Sequence, residues 1–233
     1  MKHIVVLTGA GMSAESGMST FRDAGGLWDK YPVNQVATPE GWHANPALVT
    51  AFYNARRKQL IDVSPNIGHQ LLATLETQYK VSVITQNIDN LHERAGSSHV
   101  VHLHGELTKV CSSYTPNDPR YIQELTPDEY EVSIGDTAAD GSQIRPFIVW
   151  FGESVPRLDD AIALTQQADI FLIIGTSLNV YPAASLIHFV PNQAPIFLID
   201  PKEVQTPAGY QVKQLQMGAS EGMQKLINEY LAR

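Results

Sequence analysis

Ile4-Val5-Val6-Leu7-Thr8-Gly9-Ala10-Gly11-Met12-Ser13-Ala14-Glu15-Ser16-Gly17 is the stretch on which the fold turns. Its first residues are apolar and mostly β-branched and stop at glycine, the pattern of a buried strand entering a tight turn. Small residues follow, as at the start of a helix. Gly9 and Gly11 let the backbone approach a ligand, and Ala14 takes the third place of a G-x-G-x-x-G/A turn, where helix and strand pack. Backbone N–H groups at such a turn favour a phosphate. One part of a hydride-transfer site is missing: no acidic residue closes a second strand about 20 residues on. Ser19-Thr20-Phe21-Arg22-Asp23-Ala24-Gly25-Gly26-Leu27-Trp28 stands there instead, a polar, glycine-rich loop.

Outward from this stretch the chain alternates strands and helices. A helix is expected from Pro46 to Ile61, with Tyr53 and Arg56 three apart on one face. Ser64-Pro65-Asn66 breaks the chain and caps a second helix over Ile67–Gln78. Further strands are expected at Val81–Thr85, Val100–Leu103, Asp169–Ile174, Pro195–Ile199 and Val212–Met217. Helices are expected at Leu158–Ala168, from Val180-Tyr181-Pro182, and at Glu221–Ala232, with a short one ending at Ala95 before the C-cap Gly96. This alternation predicts a Rossmann-like, doubly wound parallel sheet covered on both faces. Residues 106–145 break it and form an excursion rich in Pro, Asp and Asn. The expected division is a nucleotide-binding domain of residues 1–25, 66–105 and 146–233, with 26–65 and 106–145 making a smaller domain by insertion. Polar or glycine-rich loops follow nearly every strand: Gly9–Gly17, Gln86-Asn87-Ile88-Asp89, His104-Gly105, Gly175-Thr176-Ser177 and Asp200. Parallel strands point the same way, so these loops gather on one edge of the sheet.

Bulk properties narrow the classes. A chain of 233 residues with 43% hydrophobic and 17% charged residues can bury an ordinary core. A net charge of -8 argues against nonspecific nucleic-acid binding. The single cysteine, Cys111, excludes both a disulfide framework and a four-cysteine zinc site. No charged-then-apolar leader is read at the start, and no apolar run reaches the ~18 residues of a membrane span. A cytoplasmic location with no membrane partner is the expectation.

Taken in order, Gly9–Gly17 with Phe21-Arg22, Gln86-Asn87-Ile88-Asp89, His104-Gly105, Phe151-Gly152-Glu153 and Gly175-Thr176-Ser177-Leu178 resemble the sirtuins, NAD-dependent protein-lysine deacylases. The resemblance implies that an acyl-lysine carbonyl attacks the NAD ribose, releasing nicotinamide, and that the acyl group leaves as O-acyl-ADP-ribose. It implies NAD as cosubstrate and acyl-lysine proteins or peptides as partners. His104 resembles the general base, a task suited to a near-neutral imidazole. Gln86 and Asn87 would position the ribose, with Asn87 beside His104 as a catalytic group, and Asp89 would bind the nicotinamide amide next to Ile88. Phe21 would cover the ribose, Arg22 would meet phosphate or ribose oxygens, and Trp28 would border the same site. Gly9, Ala10, Gly11, Ser13, Ala14, Glu15, Gly175, Thr176, Ser177, Asp200 and Ala219 complete the expected cofactor set. Val149, Phe151, Gly152 and Glu153 would offer backbone to a substrate peptide laid down as an added strand.

Tyr53-Asn54-Ala55-Arg56 resembles the Tyr-x-x-Arg of deacylases that prefer malonyl and succinyl lysine. A phenol and a guanidinium on one helix face can together bind the carboxylate at the end of an acyl chain. Ala24 would leave room for that chain. The zinc cysteines usual in the family are absent, since Tyr114 stands where the partner of Cys111 is expected. No zinc is therefore expected, and Tyr114, Tyr121, Ile122, Leu125 and Tyr130 become candidates for the core of the excursion. Two alternatives use the same NAD site: a mono-ADP-ribosyltransferase and a non-catalytic NAD or ADP-ribose sensor. His104 favours acyl transfer over the first, and Asn87 with His104 favours catalysis over the second.

Overall fold

The computed structural model describes residues 1–18 and 30–231. The expectations for Phe21, Arg22, Ala24 and Trp28 lie outside the described residues. The strands are β1 (His3–Thr8), β2 (Lys80–Thr85), β3 (Val100–His102), β4 (Gly105–Ser112), β5 (Gln123–Glu124), β6 (Ile144–Ile148), β7 (Ile170–Ile174), β8 (Ile196–Ile199) and β9 (Val212–Leu215). Six of them form one sheet in the order β3-β2-β1-β7-β8-β9, every pair parallel. This is the Rossmann-like, doubly wound order. The chain runs from β1 to one side for β2 and β3, and later returns to the other side of β1 for β7. The switch point where a ligand crevice opens therefore lies between the ends of β1 and β7.

Alternation along the strands builds a core on each face. Val5, Leu7, Ile84, Phe171 and Ile173 point to one side, against Ala161 of the helix Leu158–Thr165 and against Leu186 and Ile187. Ile4, Val6, Val83, Leu172 and Ile174 point to the other, against Leu72 of the helix Ile67–Leu75 and Met223 of the helix Ala219–Leu226. The helix Ile67–Leu75 starts with a capping box: His69 N donates to Asn66 Oδ1, and Asn66 N donates to His69 Nδ1, each at 3.3 Å. It ends three residues before the expected Gln78, which stands in a turn, its N–H bonded to the Leu75 carbonyl at 3.0 Å. The last helix is also shorter than expected and passes into a π-type turn over Ile227–Leu231. The helix Pro46–Asp62 starts on Asn45, whose side chain accepts from Leu48 N at 3.0 Å, with proline in its first turn.

The excursion is more regular than its composition suggests. β4 pairs antiparallel with β5 and β6 in a second, three-stranded sheet. Its core is Val110, Val132 and Ile144, with Leu125 and Ala138 packed against them. Of the expected core residues only Leu125 belongs. Tyr114 is 79% exposed, and Tyr121, Ile122 and Tyr130 are half-buried outside the cluster. The cause is a polar knot. Ser112 Oγ accepts the N–H groups of Tyr114 and Thr115, each at 3.0 Å, and donates to Asp140, which also accepts Ser142 Oγ at 2.7 Å. That turn aims Tyr114 at solvent. Asn54 clasps Val132 from the long helix, donating to its carbonyl at 2.9 Å and accepting its N–H at 3.1 Å.

Candidate active site

The strand ends converge on one cleft of about 870 Å³. Gly9, Ala10, Gly11, Ala14 and Glu15 line it after β1, Gln86, Asn87 and Ile88 after β2, and His104 after β3. Gly175, Thr176 and Ser177 line it after β7 and Asp200 after β8. Tyr53 and Arg56 reach it from the long helix, and Val149, Phe151, Gly152 and Glu153 follow β6 into it. Ser13, Asp89 and Ala219 do not line it; each is buried behind the wall.

Two glycine turns interlock at the switch point. Gly9 N donates to the Ile174 carbonyl at 3.0 Å, and Gly11 N to the Gly175 carbonyl at 2.9 Å. A Cβ on Gly9 would lie 2.7 Å from Thr176 Cβ, and one on Gly11 would lie 2.7 Å from Gly175 Cα. Bare backbone is thus required on both sides, which is the cradle a diphosphate needs. Gly175 has φ +64 and abuts the backbone of Gly11 and Met12. Gly175→Ala adds a left-handed penalty and a backbone clash, and is expected to destabilise the fold by about 3 kcal/mol in urea unfolding.

The polar end of β2 is tightly wired. Asn87 Nδ2 donates to the Gly9 carbonyl at 3.0 Å and to Ser13 Oγ at 3.1 Å, and Asn87 N donates to Thr85 Oγ1 at 3.0 Å. Asn87 Oδ1 takes no hydrogen bond among the described residues. Ser13 Oγ donates onward to Asp89 at 2.9 Å, and Asp89 also accepts Leu91 N at 3.1 Å. Asp89 thereby serves as the acceptor that orients Ser13 and caps the next turn. Burial raises its pKa, against the hydrogen bonds from Leu91 and Ser13. Gln86 Nε2 donates to Thr176 Oγ1 at 3.1 Å, tying β2 to β7.

His104 is half-buried, with Nδ1 2.9 Å from the Gln86 carbonyl. A carbonyl only accepts, so Nδ1 carries the proton and Nε2 keeps a lone pair. Burial lowers the His104 pKa, and the Gln86 carbonyl raises it by less. The ring is neutral at pH 7, the state a general base needs.

At the other end of the cleft, Trp150 Nε1 donates to Tyr53 OH at 3.0 Å, which leaves the phenol proton to point elsewhere. Burial pushes the Tyr53 pKa up to about 12, so the phenol remains a donor. Arg56 donates to Gln59 Oε1 at 2.7 Å, and Gln59 Nε2 donates to the Gly17 carbonyl at 3.0 Å. Glu153 lines the cleft, and its side chain has an engagement beyond the backbone part expected of it. Its carboxylate pairs bidentately with Arg145 at 2.8 and 3.0 Å and accepts Trp150 N at 2.8 Å. The Arg145 guanidinium lies 3.5 Å over the Trp150 ring. The Glu153 side chain thus braces the turn, while Phe151, Gly152 and Glu153 all border the cleft. Sequence reasoning passed over Ser13 as a brace, Arg145, Trp150 and His102. His102 was open to it, as a second histidine two residues before His104 at the end of β3.

A model of the Sir2 family matches residues 9–182 of the chain. An NAD-dependent protein deacylase of Bacteroides thetaiotaomicron is 68% identical over 226 residues, covering 97% of this chain and 97% of that protein. A protein of the same description from Helicobacter pylori is 51% identical over 227 residues, covering 97% of this chain and 96% of its own. Among solved structures, a mutant Sir2 homologue in complex with ADP-ribose superposes with a TM-score of 0.87 at 36% identity, over 97% of this chain and 91% of that one.

Proposed function

This chain belongs to the Sir2 family, and we propose that it is an NAD-dependent protein-lysine deacylase with a preference for succinyl and malonyl groups. The observation that carries the reading is one cleft holding, in order, a side-chain-free backbone cradle, an amide, a neutral histidine and a phenol–guanidinium pair. NAD supplies an activated glycosidic carbon, with nicotinamide as leaving group. The chain's residues do the rest.

Gly9, Gly11 and Gly175 admit the diphosphate, while Glu15, Ser177 and Asp200 border the rest of the ADP-ribose half. Gln86 and Asn87 hold the reacting ribose, with Asn87 Oδ1 as the acceptor turned to it. Asp89 acts from behind, through Ser13, rather than by touching the nicotinamide from the cleft wall. Once nicotinamide has left, His104 Nε2 takes a ribose hydroxyl proton, so that oxygen can receive the acyl group. Val149, Phe151 and Gly152 supply backbone for the substrate peptide, with the acyl-lysine passing toward Tyr53.

Acyl preference follows from the far wall. Tyr53 and Arg56 would both donate to a terminal carboxylate, which acetyl lacks. Charge-assisted pairs of this kind contribute about 2–3 kcal/mol, so kcat/KM for succinyl peptide is expected to exceed that for acetyl peptide by ~30-fold or more. Steady-state rates with matched acetyl, malonyl and succinyl peptides test this, and equal values would refute the preference.

A further inference from the structure

Asn87 is gripped from two sides. Its side-chain amide is held by Gly9 and Ser13. Its carbonyl lies 3.0 Å from His102 Nδ1. A carbonyl only accepts, so Nδ1 carries a proton. The other ring nitrogen, Nε2, lies 2.8 Å from Glu93 Oε1. A carboxylate also only accepts, so Nε2 carries a proton too. With Glu93 ionised, as its lowered pKa keeps it, the two bonds can coexist only if His102 is an imidazolium, and the residue holds that charge at 8% exposure.

We propose that His102, kept as an imidazolium by Glu93, is a positioning residue that locks the Asn87 peptide in its working orientation. The proposal deepens the deacylase reading above and rests on it for the part Asn87 plays. It adds a charged group behind a site whose facing histidine, His104, is neutral.

The surroundings agree. The ring is bonded to Glu93 of the helix Leu91–Arg94 and lies in the electrostatic range of His92 on that helix, Asp89 in the turn before it and Glu106 on β4. Burial pulls the His102 pKa down, but the Glu93 hydrogen bond and charge, with Glu106, outweigh it and raise the value above 6.5. Burial works against the Glu93 carboxylate as well, and the bond to His102 brings its pKa below normal. His92 is held neutral by burial and so does not oppose the charge. His102 also helps keep Asp89 ionised. Asp89 accepts Ser13 Oγ, and Ser13 Oγ accepts Asn87 Nδ2, so His102 acts on both sides of Asn87. A neutral His102 would turn a lone pair toward either the Asn87 carbonyl or the Glu93 carboxylate, both acceptors, and one bond would be lost.

The test has two parts. In the first, kcat is measured against pH with a succinyl peptide and saturating NAD. Wild type should show an alkaline limb. His102→Asn keeps an amide donor near the Nδ1 position at every pH, and should turn over without that limb. Glu93→Gln removes the counter-charge, and should move the limb to lower pH. In the second, ring ¹⁵N shifts of His102 and the ¹³C shift of the Asn87 carbonyl are followed against pH in the ligand-free protein. Both should report one titration above pH 6.5. A neutral His102 ring at pH 7, an Asn87 shift that ignores the ring's titration, or one alkaline limb common to all three proteins would overturn the proposal. Absence of turnover with every acyl peptide would instead defeat the deacylase reading. The shifts would then still decide whether His102 is charged and coupled to Asn87.

Discussion

His104→Ala is expected to lower deacylation about 10³-fold while nicotinamide exchange remains measurable. The asymmetry is the point. In the proposed reaction nicotinamide leaves before the base is needed, so release and its reversal with labelled nicotinamide would not require His104. Transfer of the acyl group would, because in that reaction a ribose hydroxyl loses its proton to Nε2. The ring is prepared for this: Nδ1 is fixed on the Gln86 carbonyl, and burial holds the pKa below 6.5. A base must be unprotonated to act. Its depressed pKa therefore keeps the enzyme active as pH falls through 6.5, and the acid limb of kcat/KM should begin only below that value. Equal loss of exchange and deacylation in His104→Ala would show that the residue supports the fold or NAD binding instead.

Arg56→Met, alone or with Tyr53→Phe, is expected to cut desuccinylation about 100-fold, mostly through KM, and to change deacetylation only a few-fold. Arg56 is 5% exposed, and burial lowers its pKa below the usual guanidinium value. A buried guanidinium gains most when a carboxylate joins it. Tyr53, neutral with a pKa near 12, adds a donor that its bond from Trp150 has already oriented. Arg57 is a useful contrast one residue on. Its Nε donates to the Leu107 carbonyl and its Nη1 to Asn54, each within 2.9 Å, and it is not in the cleft wall. Arg57→Met should lower stability and leave the ratio of the two activities unchanged. Parallel loss of both activities in the Arg56 variant would argue against an acidic-acyl pocket.

The parallel sheet was legible because its signal is local. Ile4–Leu7, Val81–Ile84 and Ile170–Ile174 are short apolar runs ending in polar or glycine-rich turns, and each became a buried strand. Gathering of Gly9, Gln86, His104, Gly175 and Asp200 on one cleft followed from strand direction alone. What escaped depends on partners far along the chain. Strand β4 was missed because an irregularity in pairing between Gly105 and Val110 breaks the two-residue period. Tyr114 is turned out by Ser112, whose own orientation is set by Asp140, 28 residues away. Asp89 does not line the cleft, and its carboxylate is engaged by Ser13, 76 residues earlier. Glu153 is engaged by Arg145 across a turn, which no spacing rule announces. In each case the residue type was noticed, but its hydrogen-bond partner was not.

The fate of the acyl group separates deacylation from the other uses of NAD. Purified protein mixed with NAD and a succinyl-lysine peptide, followed by mass spectrometry of the nucleotide product, tests it most directly. A deacylase yields free nicotinamide, bare lysine and O-succinyl-ADP-ribose in equal amounts. Free ADP-ribose beside an untouched peptide, or ADP-ribose attached to protein, would contradict it.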